Sequence, residues 1–110
     1  LEGLEGTRVA AVSGIAVPQG FEQFLETLGA ELVYAERFAD HHRYRQQEII
    51  TFVNEAVAHR AQMIVTTEKD AVRLPKLDRR DLPIYFLRVE IDILSGKESF
   101  NECIARICFL

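Results

Sequence analysis

The chain has 110 residues, the size expected of one α/β domain over 1–110. Lys and Arg total 13 against 17 Asp and Glu, a formal net charge of −4, and 48% of residues are apolar and 27% charged. These values match a folded soluble domain, exclude intrinsic disorder, collagen and coiled coil, and argue against a nucleic-acid binder with a broad basic face.

The first element is the apolar run Thr7 to Ser13, bounded by Gly6 and Gly14. Its length favours a buried strand over a helix. Pro18 suits a first helical position, and Phe21, Phe24, Leu25 and Leu28 form one helical stripe. Gly29 fits the position that ends that helix. Glu31 to Glu36 reads as a second strand, followed by a polar loop, Arg37 to Tyr44. Ile49, Phe52, Val53 and Ala56 repeat the helical spacing, and Met63 to Thr66 is a third strand. Glu68 to Arg73 is expected as a short helix and Lys76 to Asp81 as a charged loop, with Lys76, Arg79 and Arg80 as its basic residues. A fourth strand runs from Ile84 to Val89, with Ile91 and Ile93 as an extension. Ser95 and Glu98 have capping-box spacing, and Phe100, Cys103, Ile104 and Ile107 give a last helical stripe.

Strands alternating with amphipathic helices predict a small three-layer, Rossmann-like sandwich with a mostly parallel sheet of about four strands. The expected strand order is 2-1-3-4. The sequence contains no apolar run long enough to span a membrane, no secretory signal and no internal repeat. Cys103 and Cys108, five apart on the expected helix, are too far apart to pair, and free thiols fit a reducing cytosol.

In parallel α/β sheets, ligands bind beyond the carboxyl ends of the strands. Three segments fall there: Gly14 to Pro18, Asp40-His41-His42, and Thr66-Thr67-Glu68-Lys69-Asp70. Asp-His-His admits three readings: a carboxylate-held general base, a metal site, or a polar loop whose histidines cap helices. Adjacent residues of an extended chain point in opposite directions, which sets His41 and His42 poorly for one ion. Thr67 and Asp70 have cap-like spacing on the short helix. Lys69 in its first turn reads either as a charge facing an anion or as a partner of Glu68, Asp70 or another carboxylate. Gly14 alone reads as a tight turn, and neither phosphate-loop pattern is present.

Taken together, Gly14-Ile15-Ala16-Val17-Pro18-Gln19-Gly20-Phe21, Phe38-Ala39-Asp40-His41-His42-Arg43-Tyr44 and Thr66-Thr67-Glu68-Lys69-Asp70-Ala71-Val72-Arg73-Leu74 resemble the C-terminal part of the tetraacyldisaccharide 4'-kinase family. That family acts in lipid A synthesis in Gram-negative bacteria. Ala16 and Val17 depart from its Gly-Ile-Gly-Asn-Pro run, and Ala39 stands where Pro is frequent. The resemblance implies ATP- and Mg²⁺-dependent phosphorylation of the 4'-hydroxyl of a lipid A precursor. It also implies a two-domain enzyme whose N-terminal P-loop domain binds ATP and Mg²⁺ and carries the catalytic carboxylates. The present chain would be the C-terminal domain, inactive alone, with no cofactor or metal of its own expected. His41 matches the family's catalytic histidine, helper to an aspartate of the other domain, with Asp40 as its orienter. His42, Thr67, Glu68, Lys69 and Asp70 would shape the substrate cleft. The implied partners are the N-terminal domain and the lipid A precursor, at the cytoplasmic face of the inner membrane. The chain itself is expected to be soluble, without nucleic acid. Two other readings are a freestanding Rossmann-like module that binds an anion or a partner without catalysis, and a DHH-type phosphoesterase. The second would need more metal ligands than this sequence offers.

Overall fold

The computed structural model describes residues 4–75, 82–92 and 102–109. In chain order the elements are β1 (Arg8–Ser13), α1 (Pro18–Thr27), β2 (Glu31–Arg37), α2 (Gln46–Ala58), β3 (Met63–Thr67), α3 (Glu68–Ala71), β4 (Ile84–Asp92) and β5 (Glu102–Phe109). They form one sheet of order β2-β1-β3-β4-β5. The first four strands are parallel, in the expected order, and β5 runs antiparallel to β4.

The central strand β1 explains the layering. Its side chains alternate between faces. Val9 and Ala11 pack with Phe21 and Leu25 of α1, whereas Ala10 and Val12 pack with Ile49, Phe52, Val53 and Ala56 of α2. A strand that is apolar at four successive positions must be covered on both sides, and α1 and α2 supply those covers. The chain steps from β1 to β2 in one direction, then crosses back over β1 to reach β3. Right-handed crossovers taken in opposite directions put the two helices on opposite faces. They also leave a topological switch point at the carboxyl ends of β1 and β3. There Thr66, fully buried, donates its hydroxyl to the Val12 carbonyl at 2.7 Å and ties the two strands together.

Pro18 opens α1 as expected, and Gly29 follows its last turn at φ 96°. A Cβ at Gly29 would lie 2.6 Å from Glu5 Cγ and 2.8 Å from Glu5 Cα, so backbone angle and space both require glycine. β2 carries a bulge, with the register slipping between Val9 and Ala10 of β1.

The expectation for the C-terminal segment is overturned. Cys103, Ile104 and Ile107 lie on β5 and not on a helix, and the strand pairs with β4 from Tyr85↔Phe109 to Asp92↔Glu102. Short apolar runs do not separate helix from strand by periodicity alone. Ile104, Ile107 and Phe109 are types that favour a pleated surface, and a helix here would leave the long edge of β4 without this partner. Cys103 and Cys108 sit opposite Ile91 and Phe86 in this ladder. Ser95, Glu98 and Phe100, read as the start of that helix, lie outside the described residues, as do Ile93 and the basic residues Lys76, Arg79 and Arg80. α3 is shorter than expected, ending at Ala71 rather than Arg73, although turn bonds continue from Arg73 N to Asp70 O and from Leu74 N to Ala71 O.

Candidate functional site

The loops after β1 and β2 and the β3–α3 junction meet at the carboxyl edge of the sheet, and one carboxylate joins them. Asp70 of α3 is fully buried. Gly14 N–H, from the loop after β1, donates to its Oδ1 at 3.2 Å and its Oδ2 at 3.1 Å. Tyr44 O–H, from the loop after β2, donates to Oδ1 at 3.0 Å. Thr67 O–H donates to Oδ2 at 2.6 Å, and Arg73 Nη2 donates to Oδ1 at 2.9 Å. A buried carboxylate is costly unless paired and fully bonded, and here the donors surround it. Among the described residues no buried side-chain polar atom lacks a partner.

This geometry assigns local roles to Thr67 and Asp70. Thr67 Oγ1 accepts from Asp70 N–H at 3.1 Å, the expected cap. The Asp70 amide is thereby taken, and α3 is a single turn, so the anion-binding reading of this segment finds no support there. Burial, followed by the Asp70 charge and hydrogen bond, pushes the Tyr44 hydroxyl well above the usual tyrosine range.

Gly14 is more than a tight turn. A Cβ on it would lie 2.9 Å from the Tyr44 hydroxyl, 3.0 Å from Ala39 O and 3.3 Å from Asp70 Oδ1. Glycine is needed here for close approach. Its carbonyl accepts the His41 N–H at 3.1 Å and Arg73 Nη2 at 3.4 Å, so Gly14 bonds to Asp70 on one side and to the histidine loop on the other.

The two histidines of the Asp-His-His segment have different environments. His42 is half-buried. Its ring stacks on Phe38 at 4.6 Å and meets Tyr44 edge-on at 5.2 Å, and its Nε2 lies 2.9 Å from Glu48 Oε1. Glu48 Oε1 also accepts the Arg45 N–H at 2.9 Å. The Arg45 amide first, and His42 second, hold the Glu48 carboxyl below its usual range. His42 is therefore a brace between the loop and the start of α2.

His41 is the opposite case. It lies in a turn closed by His42 N–H to Ala39 O at 3.0 Å, and its backbone is left-handed, with φ 64°. Its side chain is 80% exposed. A non-glycine residue in that region is uncommon and costs about 1–2 kcal/mol. Such a conformation persists when its surroundings over-determine it, and it clusters at functional sites. Asp40 Oδ2 is 3.7 Å from His41 Nε2, an ion-pair distance too long for a hydrogen bond, so the expected orienter is adjacent but not bonded.

Glu68 and Lys69 face solvent. Glu68 Oε2 pairs with Arg88 at 3.0 Å, and Asp70 pairs with Arg73, so neither is the partner of Lys69 as one reading proposed. Lys69 Nζ makes no ion pair among the described residues. The described residues contain no group of three or more His, Cys, Asp or Glu able to hold a metal ion. Sequence reading placed His41, Thr67 and Asp70 on this edge but missed Tyr44 and Arg73 as ligands of Asp70. The i, i+3 spacing of Asp70 and Arg73 on one turn was the only local signal. It also missed the bidentate pair of Arg37, at the end of β2, with Glu22 of α1, at 2.9 and 2.7 Å.

A family model described as tetraacyldisaccharide-1-P 4'-kinase matches residues 1–108. Among curated relatives, the tetraacyldisaccharide 4'-kinase of Syntrophus aciditrophicus (strain SB) is 42% identical over 104 residues, covering 94% of this chain and 28% of the relative. The protein of the same description from Anaeromyxobacter dehalogenans (strain 2CP-C) is 44% identical over 96% of this chain and 28% of its own length. That from Anaeromyxobacter sp. (strain K) is 53% identical over 89% of this chain and 26% of its own length. The chain thus spans little more than a quarter of the length of each of these three relatives. No solved structure matches it significantly. With the family match running almost end to end and these identities over most of the sequence, the chain belongs to the tetraacyldisaccharide-1-P 4'-kinase family.

Proposed function

We propose that this chain is the C-terminal domain of a tetraacyldisaccharide 4'-kinase. In the longer enzyme it serves phosphoryl transfer from ATP to the 4'-hydroxyl of a tetraacyldisaccharide 1-phosphate, in lipid A synthesis. The observation that carries the reading is the presentation of His41. A solvent-open imidazole stands on a left-handed residue, beside the switch point where α/β sheets bind ligands. Imidazole exchanges protons near neutral pH, which suits a helper to the base that accepts the sugar-hydroxyl proton. In this reading a carboxylate across the domain cleft is that base. His41 shares its proton, Asp40 biases the ring electrostatically, and His42 holds the loop in place. Lys69, exposed on the same edge, adds positive charge to the cleft, with Glu68 beside it.

Among the described residues there is no group of three or more His, Cys, Asp or Glu able to hold a metal ion, and the sequence has no phosphate-loop pattern. In this proposal nucleotide and metal binding are assigned to an N-terminal P-loop domain, as the family resemblance implies. No helix among the described residues is long and apolar enough to cross a membrane. The cytoplasmic face of a Gram-negative inner membrane is the proposed place of work of the longer enzyme.

The test is transfer of labelled phosphate from ATP to the disaccharide 1-phosphate. The full-length enzyme is expected to form the 4'-phosphate, and this chain alone to form none. Turnover by this chain alone, or undiminished turnover by an enzyme lacking it, would overturn the division of labour. A full-length protein that binds the lipid but transfers nothing would favour a binding module.

A further inference from the structure

We infer that Asp70 is a positioning residue for His41, acting through Gly14, Tyr44 and Arg73; the inference rests on the role proposed for His41. The path is short. Asp70 takes the Gly14 N–H, and the Gly14 carbonyl takes the His41 N–H at 3.1 Å. Arg73 Nη2 spans both links, 2.9 Å from Asp70 Oδ1 and 3.4 Å from Gly14 O. Tyr44 closes the other side. Its hydroxyl is on Asp70, and its ring meets His42 and Phe38, which flank the His41 turn. Ala39 O, the acceptor that closes that turn, lies 3.0 Å from where a Gly14 Cβ would be, so the turn rests directly on Gly14.

Two physical points favour positioning over stability alone. Clusters of buried charges can often be replaced by apolar side chains at no loss of stability. Asp70 instead draws donors from the loops after β1 and β2 as well as from the ends of its own turn, an arrangement that sets the relative positions of these segments. In addition, His41 is held in a left-handed conformation, which needs firm surroundings to persist. Asp70 does not touch His41. It fixes where the peptide carrying His41 sits, and small misplacements of a reacting group are costly in rate.

The experiment uses the full-length enzyme and the variants Tyr44→Phe, which keeps the packing, and Asp70→Asn. Each is made with His41 intact and with His41→Ala. With His41 intact, Tyr44→Phe is expected to lower kcat about fivefold and Asp70→Asn on the order of tenfold or more, at nearly constant KM. In the His41→Ala background both effects should vanish, because residues acting as one unit are non-additive. The backbone amide resonance of His41, read with isotope-labelled histidine, should shift or broaden in both variants. Equal fold-losses in the two backgrounds would overturn the inference, as would a His41 amide resonance unmoved by either substitution. If His41→Ala itself leaves kcat intact, the proposed catalytic role falls, and the amide resonance alone decides the positioning claim.

Discussion

Replacing Asp70 with Asn is the sharpest test of the clamp at the carboxyl edge. The carboxylate accepts from Gly14 N–H, Tyr44 O–H, Thr67 O–H and Arg73 Nη2 with no exposure to water. Asparagine retains one acceptor oxygen and turns an NH₂ group toward groups that are themselves donors. It also leaves the Arg73 guanidinium, only 22% exposed, without its counter-charge. A hydrogen bond to a charged group is worth about 1.5–3 kcal/mol, and breaking a buried pair costs about 3–5 kcal/mol. Shared donors do not add, so we expect a loss of about 3 kcal/mol, a large part of the stability of a domain this size. Near about 4 °C per kcal/mol, the midpoint of thermal unfolding should fall by about 12 °C. Urea unfolding followed by circular dichroism gives the free energy directly, with Glu31→Gln on exposed β2 as a control expected within about 0.5 kcal/mol of the parent. A loss below about 1 kcal/mol for Asp70→Asn would refute the claim that this carboxylate joins the loops after β1 and β2 to the β3–α3 junction.

Two further outcomes follow from the same geometry. Gly14→Ala, which places a methyl group 2.9 Å from the Tyr44 hydroxyl and 3.0 Å from Ala39 O, should cost about 1–3 kcal/mol in urea unfolding, and a neutral result would show that the loop yields freely. Tyr44 keeps its proton more tightly in the folded state than in the unfolded chain, so its contribution is full below pH 10.0 and is lost as pH rises above it. Stability measured across the alkaline range should therefore decline less steeply in Tyr44→Phe than in the parent, and identical slopes would contradict the buried Tyr44–Asp70 bond.

Most of the sheet was legible because its signals are local. The run from Val9 to Val12 is apolar at successive positions, Pro18 and Gly29 bracket a helical stripe, and Thr67 announces a cap three residues ahead of Asp70. β5 was not legible, since its apolar spacing suits either period and its pairing with β4 decides the matter. The clamp was hidden for a related reason. Tyr44 and Gly14 lie 26 and 56 residues from Asp70, and no spacing rule connects a carboxylate to donors so distant. The division between the two histidines was half legible. Their poor placement for one shared ion was argued from an extended chain, whereas His41 lies in a turn at φ 64°, and only the neighbours Phe38 and Glu48 show that His42 is the braced ring and His41 the open one.

That division supplies the most direct test of the account. In the full-length enzyme, His41→Ala should cut kcat on the order of 10²-fold or more, with its unfolding midpoint unchanged, because an exposed acid–base helper is lost and no packing goes with it. His42→Ala should lower the unfolding midpoint through the lost Phe38 stack and Glu48 bond. A loss of less than about threefold for a folded His41→Ala enzyme would contradict the account and return His41 to an ordinary turn residue.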